Sequence, residues 1–532
     1  MYRGGGNVMN QFQLGISAFH LGFTSMDATV SKFALGINKL SRGDIVGAGK
    51  EFAKAPFAPI TNIMEGQRLL EAWNGKDKGE VTNLIAQYMA SGGGRSKMDA
   101  FYRTKAIESM QKSFKEGKIL TGALKAPFAI VEKMSIPIME YIVPRQKMGV
   151  FSDLMRMELE KNPGASHEQL RSIAQRAWDS VDNRMGQLVY DNLFWNRTVK
   201  DLAMASVRSL GWNLGTIREI GGGIKDIKNI GKSGLSYRTA YVMALPIVAG
   251  LYGAIYQYLH TGLLPGQDSE ESKGGTIPKD LYFPRNGNVD LKGNASRISL
   301  PTYMKDIYHY TTNPVQTVIN KFSPINNTVL EMLANRDFYG TEITNADDPV
   351  MQKIFDEMKF MGSQFEPFSF RNLGRDTGKG VESKVEPFIG IVPAPYDINM
   401  TKAEKSAYAM FKSNVPAGSR TQEEAKASQG RAKLRSEYFA SGDEAPLKQA
   451  VEDSVITKKE MKEIIKQKGM SSLQRFTEHL SANQVMTLMN KANDKEKVEL
   501  EKIIAKKRIN AKRAGSWTEK MQEKYNQMVG TE

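Results

Sequence analysis

The chain lacks cysteine entirely, since none of its 532 residues is Cys. This absence excludes disulfide bonds, cysteine-ligated zinc, iron–sulfur clusters and thiol nucleophiles. Histidine is scarce too, and its five positions show no HExxH or other metal-ligand spacing: His20, His167, His260, His309 and His479. We therefore expect no metal, no cofactor and no catalytic residues, and we interpret the lone histidines as surface or core residues.

The sequence also lacks a complete nucleotide-binding motif. Gly231-Lys232-Ser233 matches the end of a P-loop, but Asp226 occupies the position of its first glycine, and no predicted strand precedes it. Asp179 and Asp182 are three residues apart, so they share one helix face, and no base or metal ligand is identifiable beside them. We interpret this pair as a solvated face or as partners of Arg176 and Arg184. The sequence predicts a non-enzymatic protein without a small-molecule substrate.

Acidic residues are too few to balance the basic ones. Lys and Arg number 73 against 58 Asp and Glu, a formal net charge of +15. Such a balance favours polyanionic partners, either nucleic acid or anionic lipid. One basic run near the end is a candidate for non-specific contact with DNA, the alternative being a solvated helix face: Lys502, Lys506, Lys507, Arg508, Lys512 and Arg513.

Charge is missing altogether from the 29 residues between Thr239 and Gln267. A helix over the 19 residues Tyr241–Leu259 reaches roughly 28 Å, close to the thickness of a bilayer core. Basic residues precede the segment and acidic residues follow it, so a spanning helix would have its N-terminal side in the cytoplasm. The alternative is a buried core helix. The predicted membrane-contacting residues are Tyr241, Leu245, Pro246, Val248, Leu251, Tyr252, Ile255, Tyr256 and Leu259.

Periodicity predicts an all-α, elongated multi-helix protein with a small β-hairpin around 280–301. Apolar residues recur at helical spacing in the run from Val30 to Leu40, after which Arg42-Gly43-Asp44 ends one helix and caps the next. Gly221-Gly222-Gly223 is predicted to separate two helices. The runs 280–284 and 297–301 have β-type composition. We predict helical regions at 1–130 and 131–266, a hairpin-plus-helix and loop-rich region at 267–396, and a basic helical region at 397–532.

Large aromatic, acidic, amide and guanidinium side chains are densest between Trp178 and Gly223, which predicts a packed and hydrogen-bonded helix interface. We assign to this core Trp178, Asp182, Arg184, Asp191, Asn192, Trp195, Arg197 and Trp212. These residues, with the later phrases Asp280-Leu-Tyr-Phe-Pro-Arg285, Ser299–Asp306, Asp337–Glu342 and Val385–Gly390, resemble the helical large polyvalent protein-associated domain of phage proteins. The resemblance covers roughly residues 15–396.

The resemblance implies a virion-associated protein of a tailed phage, similar in context to internal or ejection proteins that are delivered with the genome. It implies a location in the virion, in the interior or on the tail, with transient exposure to the host membrane. The expected partners are other virion proteins or a second copy, host membrane lipids, and packaged DNA without sequence preference. The alternatives are a DNA-binding protein packaged with the genome, or the accessory C-terminal region of a longer polyvalent enzyme.

Overall fold

The computed structural model describes residues 19–91, 141–185, 210–227, 234–268, 276–289, 294–302, 308, 331–337, 340–345, 347–364, 386–414 and 421–529. Within these ranges the chain is predominantly helical and has one small antiparallel sheet, which confirms the predicted fold class. The chain divides into two compact units. The first comprises 1–289, 295–330 and 358–394, and the second comprises 290–294, 331–357 and 395–532. The four-region division stays a prediction.

The first unit is built mainly from nine helices in the described residues: α1 (Phe19–Leu40), α2 (Ile45–Lys54), α3 (Ala58–Trp73), α4 (Glu80–Ser91), α5 (Val143–Lys161), α6 (His167–Arg184), α7 (Leu210–Asp226), α8 (Tyr237–Thr261) and α9 (Ile277–Tyr282). Short 3-10 turns lie at Ala55–Phe57 and Glu386–Ile389. The main core forms where α1, α3, α4, α5, α6 and α8 bring their apolar faces together.

The first helix ends as the sequence predicts. Gly43 adopts a positive φ of 83°, and the Asp44 carboxylate accepts a hydrogen bond of 2.8 Å from the Gly47 amide at the start of α2. An Asp at this position satisfies an amide that has no partner inside the helix. Val30 and Ile37 of α1 point into the core, as their spacing predicts, whereas Leu40 is half exposed.

Glycine permits a close helix crossing between α3 and α5. Gly66 lies against the Arg145 carbonyl, and Gly149 lies against the Asn62 carbonyl. A Cβ atom at either glycine would overlap backbone atoms of the other helix. The two helices therefore pack backbone to backbone, which brings the polar side chains of α5 close to their partners on neighbouring helices.

The prediction that Gly221-Gly222-Gly223 separates two helices is wrong, because all three glycines lie inside α7. The reason is packing. A Cβ at Gly223 would lie 2.7 Å from the Arg238 carbonyl oxygen and 2.6 Å from Cγ2 of Val242, both on α8. The Thr239 hydroxyl also donates 2.8 Å to the Gly223 carbonyl. Gly223 therefore allows the end of α7 to pack closely against the start of α8.

The predicted hairpin is present, but its first strand lies later than expected. Strands β1 (Arg285–Val289) and β2 (Ala295–Ser299) pair antiparallel with Arg285 opposite Arg297, and β3 (Val392–Pro393) pairs with β2. The run 280–284 was predicted to be β-type. Its first three residues instead end α9, where Pro278 occupies the first turn and Asp280 is buried.

The second unit contains short helices: α10 (Val350–Gln364), within which the division falls, α11 (Lys402–Asn414), α12 (Gln422–Ser441), α13 (Ala445–Glu452), α14 (Lys458–Lys468), α15 (Ser472–Glu478), α16 (Ala482–Leu488), α17 (Asp494–Arg513) and α18 (Glu519–Val529). Two small cores form. One lies among α11, α15, α16 and α17, and the other among α12, α13 and α14. Five helices begin with a complete capping box, at Thr421, Thr457, Ser471, Ser481 and Asn493.

Candidate membrane interface

The uncharged segment forms one continuous helix, α8. Ser236 caps its first turn by accepting from the Thr239 amide at 3.1 Å, and Gly262 ends it with a φ of 70°. By length and composition alone α8 could cross a membrane, and half of its most apolar window is buried inside the protein. A single such helix is weak evidence, because core helices of soluble proteins meet the same criterion.

One face of α8 exposes a row of large apolar side chains at every fourth position. Met243, Ile247, Leu251, Ile255 and Leu259 are 44, 44, 48, 57 and 76% exposed. Residues four apart lie one above the other on a helix surface, so these five form a continuous ridge about 24 Å long. We call this set the apolar row. The half-exposed Tyr258 adjoins its C-terminal end.

The opposite face of α8 is part of the core of the first unit. Tyr241, Ala244, Leu245, Val248 and Ala249 are almost completely buried. Three of the predicted membrane-contacting residues, Tyr241, Leu245 and Val248, therefore face the interior of the protein in this structure, and their contact with a membrane stays a prediction. Leu251, Ile255 and Leu259 are exposed, and Pro246, Tyr252 and Tyr256 are half buried.

Buried and partly buried hydrogen bonds hold the inner face of α8 along most of its length. The Tyr241 hydroxyl donates to Asp27 of α1, and the Tyr252 hydroxyl lies 3.2 Å from that of Thr29. Further along, the Tyr256 hydroxyl donates to Glu386 at 3.0 Å. These contacts span about 22 Å of the helix at 1.5 Å per residue. Removing α8 from the fold would leave these polar groups without their partners, which costs free energy at every one.

Arg184 organises the buried polar cluster at the N-terminal end of α8. Its guanidinium donates 2.5 Å to the Tyr237 hydroxyl and 2.6 Å to Ser31, and it lies 4.6 Å from the centre of the Tyr241 ring. The carboxylates of Asp27 and Glu219 interact electrostatically with the Arg184 guanidinium. Burial raises the pKa of both carboxyl groups, and the Arg184 charge opposes that shift. The cluster joins α1, α6, α7 and α8 through groups that the interior requires to be paired.

A second buried cluster fixes the C-terminal end of α8 to the hairpin. Asp280 accepts 2.8 Å from Arg285 and 2.7 Å from Arg297, and all three side chains are almost fully buried. Its carboxylate also accepts 2.7 Å from the Gly266 amide and 3.3 Å from Gln257 of α8. Burial acts to raise the pKa of Asp280, but these hydrogen bonds outweigh it and lower the pKa below its ordinary value.

The predicted aromatic core motif is described only in part. Trp178 is buried with its ring centre 5.0 Å from that of Phe151, and Asp182 and Arg184 are buried beside it. The sequence predicted that Asp182 belongs to a solvated face or pairs with Arg184. Asp182 is instead buried, and it accepts 2.6 Å from Lys147 of α5. The described helix α7 contains Trp212, but its side chain and the residues Asp191, Asn192, Trp195 and Arg197 lie outside what the structure describes.

The basic run at the end of α17 divides between two environments. Lys507 is half buried and donates 3.0 Å to the Glu478 carbonyl, and Arg508 donates to Gln522 while stacking 4.4 Å from the Tyr525 ring centre. These two side chains stabilise the second unit and are not free for DNA. The remaining members of the run are exposed: Lys502, Lys506, Lys512 and Arg513.

A charged cleft of about 390 Å³ lies among α1, α2, α3 and α5. Lys32 lies between Asp153 at 2.8 Å and Glu51 at 3.4 Å, and Lys39 donates 3.1 Å to the same Glu51. Burial acts to lower the pKa of Lys32, but the two carboxylates outweigh it and raise the pKa. Because these charges are paired with one another, the cleft is best explained as an ionic contact between four helices.

Other candidate chemistry finds little support in the described ranges. Among those residues no group of three or more His, Asp or Glu could hold a metal ion. Gly231-Lys232-Ser233 lies outside them, and Asp226 ends α7. Comparison with protein-family models gave no match, and comparisons with curated proteins and with solved structures gave none either.

Sequence reasoning missed two kinds of residue. Met243 and Ile247 belong to the apolar row but were not selected, although their spacing of four from Leu251 was available in the sequence. Asp27, Glu219 and Lys147 are the buried partners of the core motif, and no local pattern marks them. Lys147 lies 35 positions from Asp182, and Asp27 lies 214 positions from Tyr241, so only the fold brings these pairs together.

Proposed function

We propose that this chain is a non-enzymatic phage virion-associated protein that assists genome delivery by engaging the host membrane through the apolar row of α8. The observation that carries the proposal is a ridge of five exposed apolar side chains on a helix whose other face is held by buried and partly buried polar contacts. The sequence resemblance to the polyvalent phage domain supports the virion context. Contact through exposed side chains alone would let the protein bind a membrane transiently without unfolding.

The structure favours a helix lying on the membrane surface over one that crosses it. Crossing would require Tyr241, Tyr252 and Tyr256 to give up their polar partners inside the protein. Lying flat requires no such change, because the apolar row already faces outwards. An interfacial helix of this kind buries only its apolar face, to a depth of about 5–10 Å.

Vesicle co-flotation of the full chain tests the membrane role. We expect Leu251→Gln with Ile255→Gln to lower the partition coefficient at least about tenfold, since each exposed half of a large apolar side chain contributes roughly 1 kcal/mol on transfer. The matched control is Val498→Gln with Ile509→Gln, two apolar residues of similar exposure on α17, which should bind like the wild type.

Both outcomes are informative because Gln is well tolerated in helices and exposed positions contribute little to folding. Equal loss in the control variant would show non-specific apolar adsorption and would contradict a role for α8. Mass spectrometry of purified phage particles tests the virion context separately, and absence of the chain from them would reject it.

The second candidate function is DNA contact by the exposed end of α17. The observation that favours it is that Lys502, Lys506, Lys512 and Arg513 all remain exposed. Phosphate contact would give weak binding without sequence preference that weakens steeply with salt. Replacing these four residues by Gln should abolish binding of the full chain to random duplex DNA at low salt. Unchanged binding would remove this run from consideration.

A further inference from the structure

The sequence of helix α7 contains a short repeat, and the structure places its members on an inward and an outward face of the helix. Ile217-Arg218-Glu219 and Ile224-Lys225-Asp226 repeat the order apolar, basic, acidic at an interval of seven residues. Seven residues correspond to about two helical turns, so equivalent members of the two triplets share a side of the helix. The repeat therefore generates one line of each residue type along α7.

The acidic line of α7 faces inwards. Glu219 is completely buried and lies 3.3 Å from Arg238, and Asp226 is half buried and accepts 3.0 Å from the Ser236 hydroxyl. Neither carboxylate belongs to the exposed surface of the helix. The negative charges of the repeat are thus used to fasten α7 to the start of α8.

The apolar and basic lines of α7 face outwards. Ile217 and Ile224 are 65 and 54% exposed, and Arg218 and Lys225 are exposed beside them. Among the described residues neither basic side chain has an acidic partner within salt-bridge distance. An exposed helix face that combines large apolar residues with unneutralised basic ones is the pattern of helices that lie on anionic lipid surfaces.

The outward face of α7 is close to the start of the apolar row. Gly223, the residue before Ile224, packs against Arg238 and Val242, and Val242 immediately precedes Met243. The other end of α8 carries no exposed Lys or Arg before Asp268, which is half exposed, and its exposed His260 lies 3.7 Å from the Glu386 carboxylate. Positive charge is therefore concentrated at the N-terminal end of the exposed apolar surface.

We propose that α7 and the apolar row of α8 form one lipid-binding surface that selects anionic phospholipid headgroups, with Arg218 and Lys225 as the headgroup contacts. The inference rests on the proposed membrane role and adds the class of lipid and the residues that select it. The row supplies apolar insertion, which is indifferent to headgroup charge. The two basic residues add an electrostatic attraction that acts only towards an anionic surface.

The test compares vesicles of phosphatidylcholine alone with vesicles that contain one third phosphatidylglycerol, using the full chain. We expect the wild type to prefer the anionic vesicles, and Arg218→Gln with Lys225→Gln to lose on the order of twentyfold in partition to them, from about fivefold per basic residue. Partition to neutral vesicles should not change. High salt should reduce the wild-type preference, because it screens headgroup attraction.

Two matched variants complete the design. Lys506→Gln with Lys512→Gln makes the same charge change on α17 and should keep the wild-type preference. Arg218→Lys with Lys225→Arg keeps both charges and should also keep it, which separates loss of charge from loss of folding.

Each contrary outcome is decisive. Equal wild-type binding to both vesicle types overturns the anionic selection but leaves the proposed membrane role intact. Binding to neither overturns both. An equal loss in the α17 variant overturns the assignment to α7. If Arg218→Gln with Lys225→Gln weakens binding to duplex DNA and not to vesicles, the surface belongs to nucleic acid and the proposal is wrong.

Discussion

The two units of this protein stabilise their helices by different means. In the second unit five helices begin with capping boxes, in which residues three apart satisfy each other's backbone amides. In the described part of the first unit only α6 has one, at Ser166. Its helices are joined instead by buried pairs such as Lys147–Asp182 and Asp280–Arg297.

The two means of stabilisation act over different distances in the chain. A cap satisfies amides within its own helix, whereas a buried ion pair makes two neighbouring helices depend on one another. Salt bridges of the second unit, such as Lys433–Glu437, are mostly exposed and contribute little. The first unit thus holds α8 rigidly from one side, and this leaves the apolar row free on the other. Four experiments test this comparison.

The largest effect should follow from Asp182→Ala. It leaves the Lys147 ammonium buried without its carboxylate, so we expect a loss of about 3–5 kcal/mol in the free energy of unfolding, measured by chemical denaturation. The double variant Lys147→Met with Asp182→Leu should recover most of this loss, because no buried charge remains. A loss below about 1 kcal/mol for the single variant would mean that this buried pair contributes no more than the exposed salt bridges of the second unit, and it would contradict the stated difference between the two units.

Asp280→Asn should cost somewhat less, about 3 kcal/mol at neutral pH, because Arg297 keeps the Phe283 carbonyl as an acceptor. The lowered pKa of Asp280 also predicts the pH dependence. A carboxylate of this kind contributes stability above its unfolded pKa of about 3.9, and that contribution is lost as the pH falls through the folded value. The difference between wild type and variant should therefore narrow below pH about 4, and a constant difference from pH 7 to 3 would contradict the assignment.

Gly253→Ala should have an intermediate effect. A Cβ at Gly253 would overlap the Leu281 backbone carbonyl, so α8 and α9 must separate, at a cost of about 1–3 kcal/mol in thermal or chemical unfolding. Gly250→Ala is the matched control one turn earlier. Its Cβ would lie 3.7 Å from the Leu281 side chain, an ordinary contact, and Ala is the better helix former by up to about 1 kcal/mol. Destabilisation by both variants would show that the helix contact is less specific than the structure indicates.

The smallest effect should come from the second unit. Ser481 accepts from the Gln484 amide at the start of α16, so Ser481→Ala should cost about 1 kcal/mol. Ser428→Ala, within α12, removes a half-buried hydroxyl that makes no hydrogen bond among the described residues, and it should change stability by less than about 0.5 kcal/mol. If the cap variant unfolded the protein as severely as Asp182→Ala does, the local character of the second unit would be disproved.

The sequence by itself determined the features that depend on near neighbours. The helix ending before Asp44, the uncharged helix over Tyr241–Leu259 and the strand carrying Arg297 follow from spacing, caps and composition, and the structure contains all three. These signals act within a few residues, so they need no knowledge of the fold. The first strand of the hairpin was predicted too early in the chain, because the residues Asp280-Leu-Tyr that follow Pro278 suit either a strand or a short helix.

Only the tertiary structure decided which side of each helix faces the protein. The composition of α8 is apolar all round, so nothing local distinguishes buried Leu245 from exposed Ile247. Gly223 was predicted to lie in a helix break. It is instead required inside α7 by the close approach of Val242, which belongs to another helix and is not visible in the local sequence. The partner of Asp182 proved to be Lys147, 35 residues earlier. Burial and charge pairing join residues that are distant in the chain. The candidate membrane surface is the apolar face of α8 that stays exposed after the opposite face has packed into the core.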